Sequence, residues 1–176
     1  RAQELGWSAG PDRFAFAACI GLGATREEGL RRAHLVADYV RTSPVVAEPF
    51  TNPPGYNTTG ANVAALKRGP GKNLFFIGPD GKPFDTADAT VEQFMATDTV
   101  FAGTPDDVVQ QITAFNERVG GFGHLLCFAQ GGHLDHKDTC ENLRLLAKEV
   151  YPRVQHLNAS RAASSGKPRK PAIAAE

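Results

Sequence analysis

The chain has 176 residues, 41% of them hydrophobic and 22% charged, and its 19 basic residues balance 19 acidic ones. That length supports about one domain, and the composition excludes collagen-like, coiled-coil and wholly disordered chains. A net charge of zero leaves no global field to draw the chain onto nucleic acid or an anionic membrane, so neither is an expected partner. No apolar run reaches the ~20 residues of a membrane helix. Cys19, Cys127 and Cys140 form an odd set without C-x-x-C spacing, which suggests neither a disulfide framework nor a zinc site and suits a reducing, cytoplasmic setting. The first residue is Arg1 and the single methionine is Met95, so the expectation is a piece of a longer protein.

Residues 13–22 form a near-continuous apolar run, as a strand buried on both faces does. Thr25-Arg-Glu-Glu28 then reads as a capping box, and Leu30, Ala33, Ala37 and Val40 carry a helix to about Arg41. From Ser43 to about Val100 the texture changes, with Pro44, Pro49, Pro53, Pro54, Pro70, Pro79 and Pro83 set among glycines. An apolar patch at 73–77, the turn Gly78-Pro-Asp-Gly81 and a short helix capped by Thr90-Val-Glu-Gln93 and ending near Thr97 interrupt it. So long a connection inside a domain is usually functional, and 43–100 is expected to be an insertion that acts as a lid.

The third region is the most regular. Thr104 is an N-cap with Pro105 at the first helical position and Asp106 and Asp107 at the positive end of the helix dipole. Val108, Val109, Ile112, Phe115 and Val119 continue the helix, and Gly120-Gly121 stops it. Residues 124–129 form a second doubly buried strand. The loop Gln130-Gly-Gly-His133 leads to a helix from about His136 to Val150, with Leu143, Leu146, Ala147 and Val150 on one face and Pro152 at its end. Residues 157–176, rich in Ala, Ser, Lys, Arg and Pro, read as a disordered basic tail.

Strand, helix and strand in this order indicate an α/β fold with parallel strands. Two strands alone leave open edges and uncovered apolar faces, so further strands are expected upstream. Ligands in such folds sit at the carboxyl ends of the strands, which selects 21–25 and 130–136.

Gly103-Thr-Pro-Asp-Asp-Val108, then Gly120-Gly-Phe122 before an apolar strand, then Glu149-Val-Tyr-Pro-Arg153 closing a helix, resemble the C-terminal part of the bacterial luciferase-like flavin-dependent monooxygenases. The strand with its Ala-Thr-Arg-Glu-Glu turn at 24–28 is similar to the preceding strand and helix of that family. The resemblance implies that 1–156 is the C-terminal part of a (β/α)8 TIM barrel, holding its last two strands and their helices with the insertion between them. A whole barrel takes roughly 250 residues, so its N-terminal half would be the missing partner. It further implies a small organic substrate, O2, and reduced FMN supplied by a separate reductase. Oxygen would be inserted through a flavin C4a-peroxide. In one branch a deazaflavin (F420) serves in hydride transfer instead. A homo-oligomer is expected, and a non-catalytic partner subunit is the alternative from another class. The family's flavin-phosphate site and most catalytic side chains come from earlier strands and are not carried over.

The candidate pocket residues are Gln130, Gly131, Gly132 and His133, directly after the last strand, and Tyr56 within the lid. The alternative for the loop is an ordinary turn. His133 is a candidate proton shuttle, since imidazole titrates near neutral pH. His133, Asp135 and His136 give too few donors for a metal, and Asp135 reads as an N-cap, so no metal is expected. Cys19 and Cys127 read as small buried apolar residues. Gly21-Leu-Gly23 fails as a dinucleotide fingerprint because position 26 is arginine, though these glycines could leave room for a ligand. Phe50, Phe75 and Phe76 either line an apolar pocket or anchor the insertion.

Overall fold

The strand expected at 13–22 is β1 (Ala15–Leu22), and it lies at the centre of the sheet. The computed structural model describes residues 4–6, 10–42, 75–86 and 88–157. β1 is followed by α1 (Arg26–Thr42), a hairpin of β2 (Phe75–Ile77) and β3 (Pro83–Asp85), α2 (Val91–Ala96), β4 (Val100–Gly103) and α3 (Pro105–Arg118). Then come β5 (His124–Phe128), α4 (His136–Leu145), a π-helical turn (Leu146–Val150) and α5 (Tyr151–Val154). Strands β4, β1 and β5 form a parallel sheet in that spatial order.

The caps read from the sequence are present. Thr90 Oγ1 accepts from Gln93 N–H at 3.2 Å while Gln93 Oε1 accepts from Thr90 N–H at 2.9 Å, and Thr104 and Asp107 cap α3 in the same reciprocal way. Alternation along the strands sorts the core into two clusters. Ala18, Ile20 and Leu22 of β1 join Phe101 of β4 against Val108, Ile112 and Phe115 of α3 and against Val150. Cys19 of β1 joins Val100 and Ala102 of β4 against Ala33, Val36 and Ala37 of α1 and Phe94 of α2. Fully burying a side chain of the larger of these types contributes about 1.5–3 kcal/mol.

Two expectations are corrected, and the barrel arrangement is not seen among the described residues. First, the sheet has a third strand. β4 is only four residues long, too short for periodicity to announce it, and it sits between the short helix and the Thr104 cap. Second, β5 is not doubly buried: His124, Leu126, Cys127 and Phe128 are exposed, because β5 is an edge strand paired only with β1 among the described residues. The layers differ from a barrel segment. Consecutive barrel strands lie side by side with every helix outside, whereas here β1 separates β4 from β5 and helices cover both sheet faces. The strands are apolar on both faces, and α1 and α2 cover the face that other strands would fill in a closed barrel.

The described part of the expected insertion, 75–100, is anchored rather than open. Phe76 lies 6.1 Å from Phe84 and 6.2 Å from Phe94 by ring centroids, so it packs against α2. The stretch from Ser43 to Leu74, with Phe50 and Tyr56, lies outside the described residues, as does the expected tail beyond Leu157.

Helix α1 approaches the sheet through glycines. A Cβ at Gly29 would lie 2.3 Å from the Gly103 carbonyl oxygen, and one at Gly21 would lie 2.5 Å from the Ala33 side chain. Gly29→Ala therefore forces α1 away from β4, and the expected cost is about 1–3 kcal/mol. Urea unfolding checks it, as a lower midpoint with an unchanged slope; an unchanged midpoint would mean that α1 is not seated on Gly103.

Candidate functional site

At the carboxyl ends of the strands the two ladders separate. Pairing of β1 with β5 ends at Cys19 opposite Phe128, and pairing with β4 begins at Cys19 opposite Val100. Beyond Cys19, the edge of β1 facing β5 has backbone groups without a strand partner, and buried backbone groups must find one. Asn142 of α4 supplies it. Its Oδ1 accepts from Leu22 N–H at 2.6 Å, and its Nδ2 donates to Ile20 O at 2.9 Å and Ala129 O at 2.7 Å. The side chain is wholly buried and ties β1, the end of β5 and α4 together.

A charged cluster secures the same corner. Arg32 of α1 is buried and donates from Nη1 to Leu22 O at 2.7 Å and from Nε to Asp138 Oδ1 at 3.0 Å. Arg31 grips both Asp138 oxygens at 2.7 Å. The hydrogen bond from Arg31, reinforced by Arg32, lowers the Asp138 carboxyl from 3.8 to about 2. Asp138 N–H in turn donates to the N-cap Asp135 at 2.7 Å. Neither Asn142 nor this cluster was read from the sequence. The available signal was a polar residue at 142 beside the apolar positions of a helix, and it carries no information about its backbone partners.

The sequence-expected loop lies next to this corner. Gly131 and Gly132 have φ of 99° and 60°, conformations that favour glycine. A Cβ at Gly132 would lie 2.1 Å from Leu35 O, and His133 N–H donates to Leu35 O at 3.2 Å. These glycines let the loop lie against α1. The Gln130 side chain is exposed, as is His133, whose Nε2 is 3.9 Å from Asp38 Oδ2. His136 faces Cys140 instead, with Nε2 3.6 Å from Sγ. Gly21 and Gly23 leave no room for a ligand, since Ala33 fills the space at one and Glu28 and Gly29 fill it at the other.

Helix N-termini at strand ends are ready anion sites, but the three here are closed. At α1, Thr25 Oγ1 accepts from Glu28 N–H at 3.2 Å and Glu28 Oε2 accepts from Ala24 N–H at 3.0 Å. At α3, Asp107 accepts from Thr104 N–H at 3.0 Å, the main cause of its lowered pKa, and holds Arg26 at 3.1 Å. At α4, Asp135 is the cap. Glu27, Glu28, Asp106, Asp107 and Asp138 add negative charge to the first turns. A phosphate dianion would meet occupied donors and like charge, so the described residues do not fit the phosphate of FMN. They also bring together no group of three or more His, Cys, Asp or Glu side chains placed to hold a metal ion. No described helix is long and apolar enough to cross a membrane.

No family model matches the chain. A stretch of 70 residues is 34% identical to 3,6-diketocamphane 1,6-monooxygenase of Pseudomonas putida, covering 40% of this chain and 18% of that protein. The structure is similar, with a TM-score of 0.51 and 24% identity, to a type II Baeyer-Villiger monooxygenase in complex with FMN. That protein is the oxygenating constituent of 3,6-diketocamphane monooxygenase from the CAM plasmid of Pseudomonas putida. The match covers 86% of this chain and 36% of the solved one, so the chain spans about a third of that protein's length. Both comparisons are partial: the first is to a monooxygenase over 40% of this chain, and the second, at 24% identity, is a likeness of fold.

Asp138 makes the corner sensitive to acid. Its carboxyl is lowered from 3.8 to about 2 in the folded chain, so the stability it contributes is present above 3.8 and lost as pH falls from there through about 2. Asp138→Asn should lower stability at neutral pH and flatten this part of the acid-unfolding curve. Urea midpoints measured from pH 7 downwards decide it: parallel curves for the two proteins would sink the assignment.

Proposed function

We propose that the chain is the C-terminal part of a flavin-dependent monooxygenase of the luciferase-like type, placing one oxygen atom from O2 into a small organic substrate. The observation that carries this reading is the 34% identity over 70 residues to a monooxygenase, whose oxygenating constituent also has a similar fold over 86% of this chain. The flavin of the reading is FMN, because the neighbouring structure is a complex with FMN. Its phosphate belongs to polypeptide outside the described residues, since the three helix N-termini here are capped and acidic. A separate reductase, a homo-oligomeric assembly and a cytoplasmic setting accompany the reading, as does the division into 1–156, an insertion at 43–100 and a tail from 157.

The described residues serve this function by construction rather than by chemistry. Asn142 and the Arg31–Arg32–Asp138 cluster hold the ends of β1 and β5, and the loop Gln130–His133 leaves that corner with its polar side chains in solvent. Gln130, Gly131, Gly132, His133 and, from the lid, Tyr56 are the residues assigned to the pocket. In the (β/α)8 barrel of the reading, β4 would stand between β1 and β5. The barrel therefore asks these elements to exchange partners when further strands are present.

The test is denaturing mass spectrometry of the protein as purified from its source, followed by FMN and riboflavin titrations and O2 uptake with reduced FMN and cyclic ketones. A longer chain or a co-purifying fragment that binds FMN at least tenfold more tightly than riboflavin and consumes O2 supports the reading. In that assembly, Gln130→Ala with His133→Ala should lower turnover without lowering the melting temperature. A folded species of this chain's own mass that ignores both flavins and consumes no O2 would overturn it.

A further inference from the structure

The apolar face expected on the last helix is only half covered. Asn142, Leu145, Leu146 and Val150 turn toward the sheet, while Leu143 and Ala147 remain exposed. The helix carries a π turn at 146–150, in which Tyr151 N–H reaches back to Leu146 O ahead of Pro152, which has no N–H to give. A cavity of about 720 Å³ lies between α3, β5 and the α4–α5 run, walled mainly by apolar side chains including Phe122, Leu125, Leu146 and Val154. It runs along β5 from Gly123 and His124 to Cys127 and reaches Leu143, and none of Gln130–His133 lines it.

One wall residue does not suit a purely apolar space. Asn116 of α3 is 92% buried, at 8% relative exposure, and it lines the cavity. Its side-chain amide has no hydrogen-bond partner among the described residues. The amide opens onto the cavity and is not sealed in the core, so a hydrogen bond to a ligand would take the place of one to water. Among the described residues the lining includes no Lys, Arg, Asp or Glu, so a charged ligand would lose hydration and gain no counter-charge there. The volume falls in the ordinary range for small-molecule sites.

We propose that this cavity is a binding site for a neutral, largely apolar small molecule that carries one carbonyl or hydroxyl group, held by the side-chain amide of Asn116. The site includes none of the Gln130–His133 loop and does not rest on the flavin reading. It is tested on the full chain by calorimetric titration with two shape-matched probes, 4-tert-butylcyclohexanone and tert-butylcyclohexane, using wild type, Asn116→Leu and Ala147→Trp. Wild type is expected to bind the ketone about tenfold more tightly than the hydrocarbon, the worth of one hydrogen bond of roughly 1.4 kcal/mol. Asn116→Leu should keep the hydrocarbon and lose the preference. Ala147→Trp, at an exposed position on the rim, should block both while its circular dichroism stays that of wild type. Wild-type protein that binds neither probe, or a ketone preference that survives in Asn116→Leu, would overturn the proposal.

Discussion

β1 has two apolar faces to cover and two edges to pair, and the rest of the structure is arranged around that requirement. Its side chains alternate between a cluster shared with α3 and one shared with α1 and α2. Its edges are divided lengthwise, the first half pairing with β5 and the last half with β4. Where the β5 ladder ends, the exposed backbone of β1 would be buried without partners. Asn142 replaces the missing strand with one side chain, and Arg32 takes the Leu22 carbonyl. A buried amide and a buried guanidinium are tolerated there because each finds partners at 2.6–3.0 Å.

That solution also fixes what the carboxyl ends can do. Glycines 21, 23 and 29 are spent on bringing α1 against the sheet, and the helix N-termini are spent on their own caps. A corner so fully occupied orients elements well and offers little to a bulky anion. A division of labour follows in the proposed monooxygenase, with this region supplying a rigid frame and the phosphate site lying on other polypeptide. Free space appears instead on the helical side, between α3, β5 and the last helices.

Much of the local structure was legible. Thr90, Thr104 and Asp135 cap their helices as their side chains predict, because capping depends only on residues within one turn. β4 was not legible, since its four residues are all buried and show no alternation, and its place depends on an edge of β1 far away in the chain. The reading of 124–129 as doubly buried failed for a related reason. Apolar residues there state what the strand would bury, and Leu126 and Phe128 remain exposed because no described element covers them.

The sequence by itself determined most of the elements, their caps, the parallel α/β class and the motifs that resemble luciferase-like monooxygenases. All of these are local or follow from order along the chain. Tertiary structure decided the strand order, the layering, the role of Gly21 and Gly132 as packing positions, the three backbone partners of Asn142 and the isolation of Asn116. These depend on which groups meet in space, at separations from 13 residues between Ala129 and Asn142 to 122 between Ile20 and Asn142. Hydrophobic pattern specifies that a face must be covered, but the covering element is chosen by the geometry of everything else that competes for it.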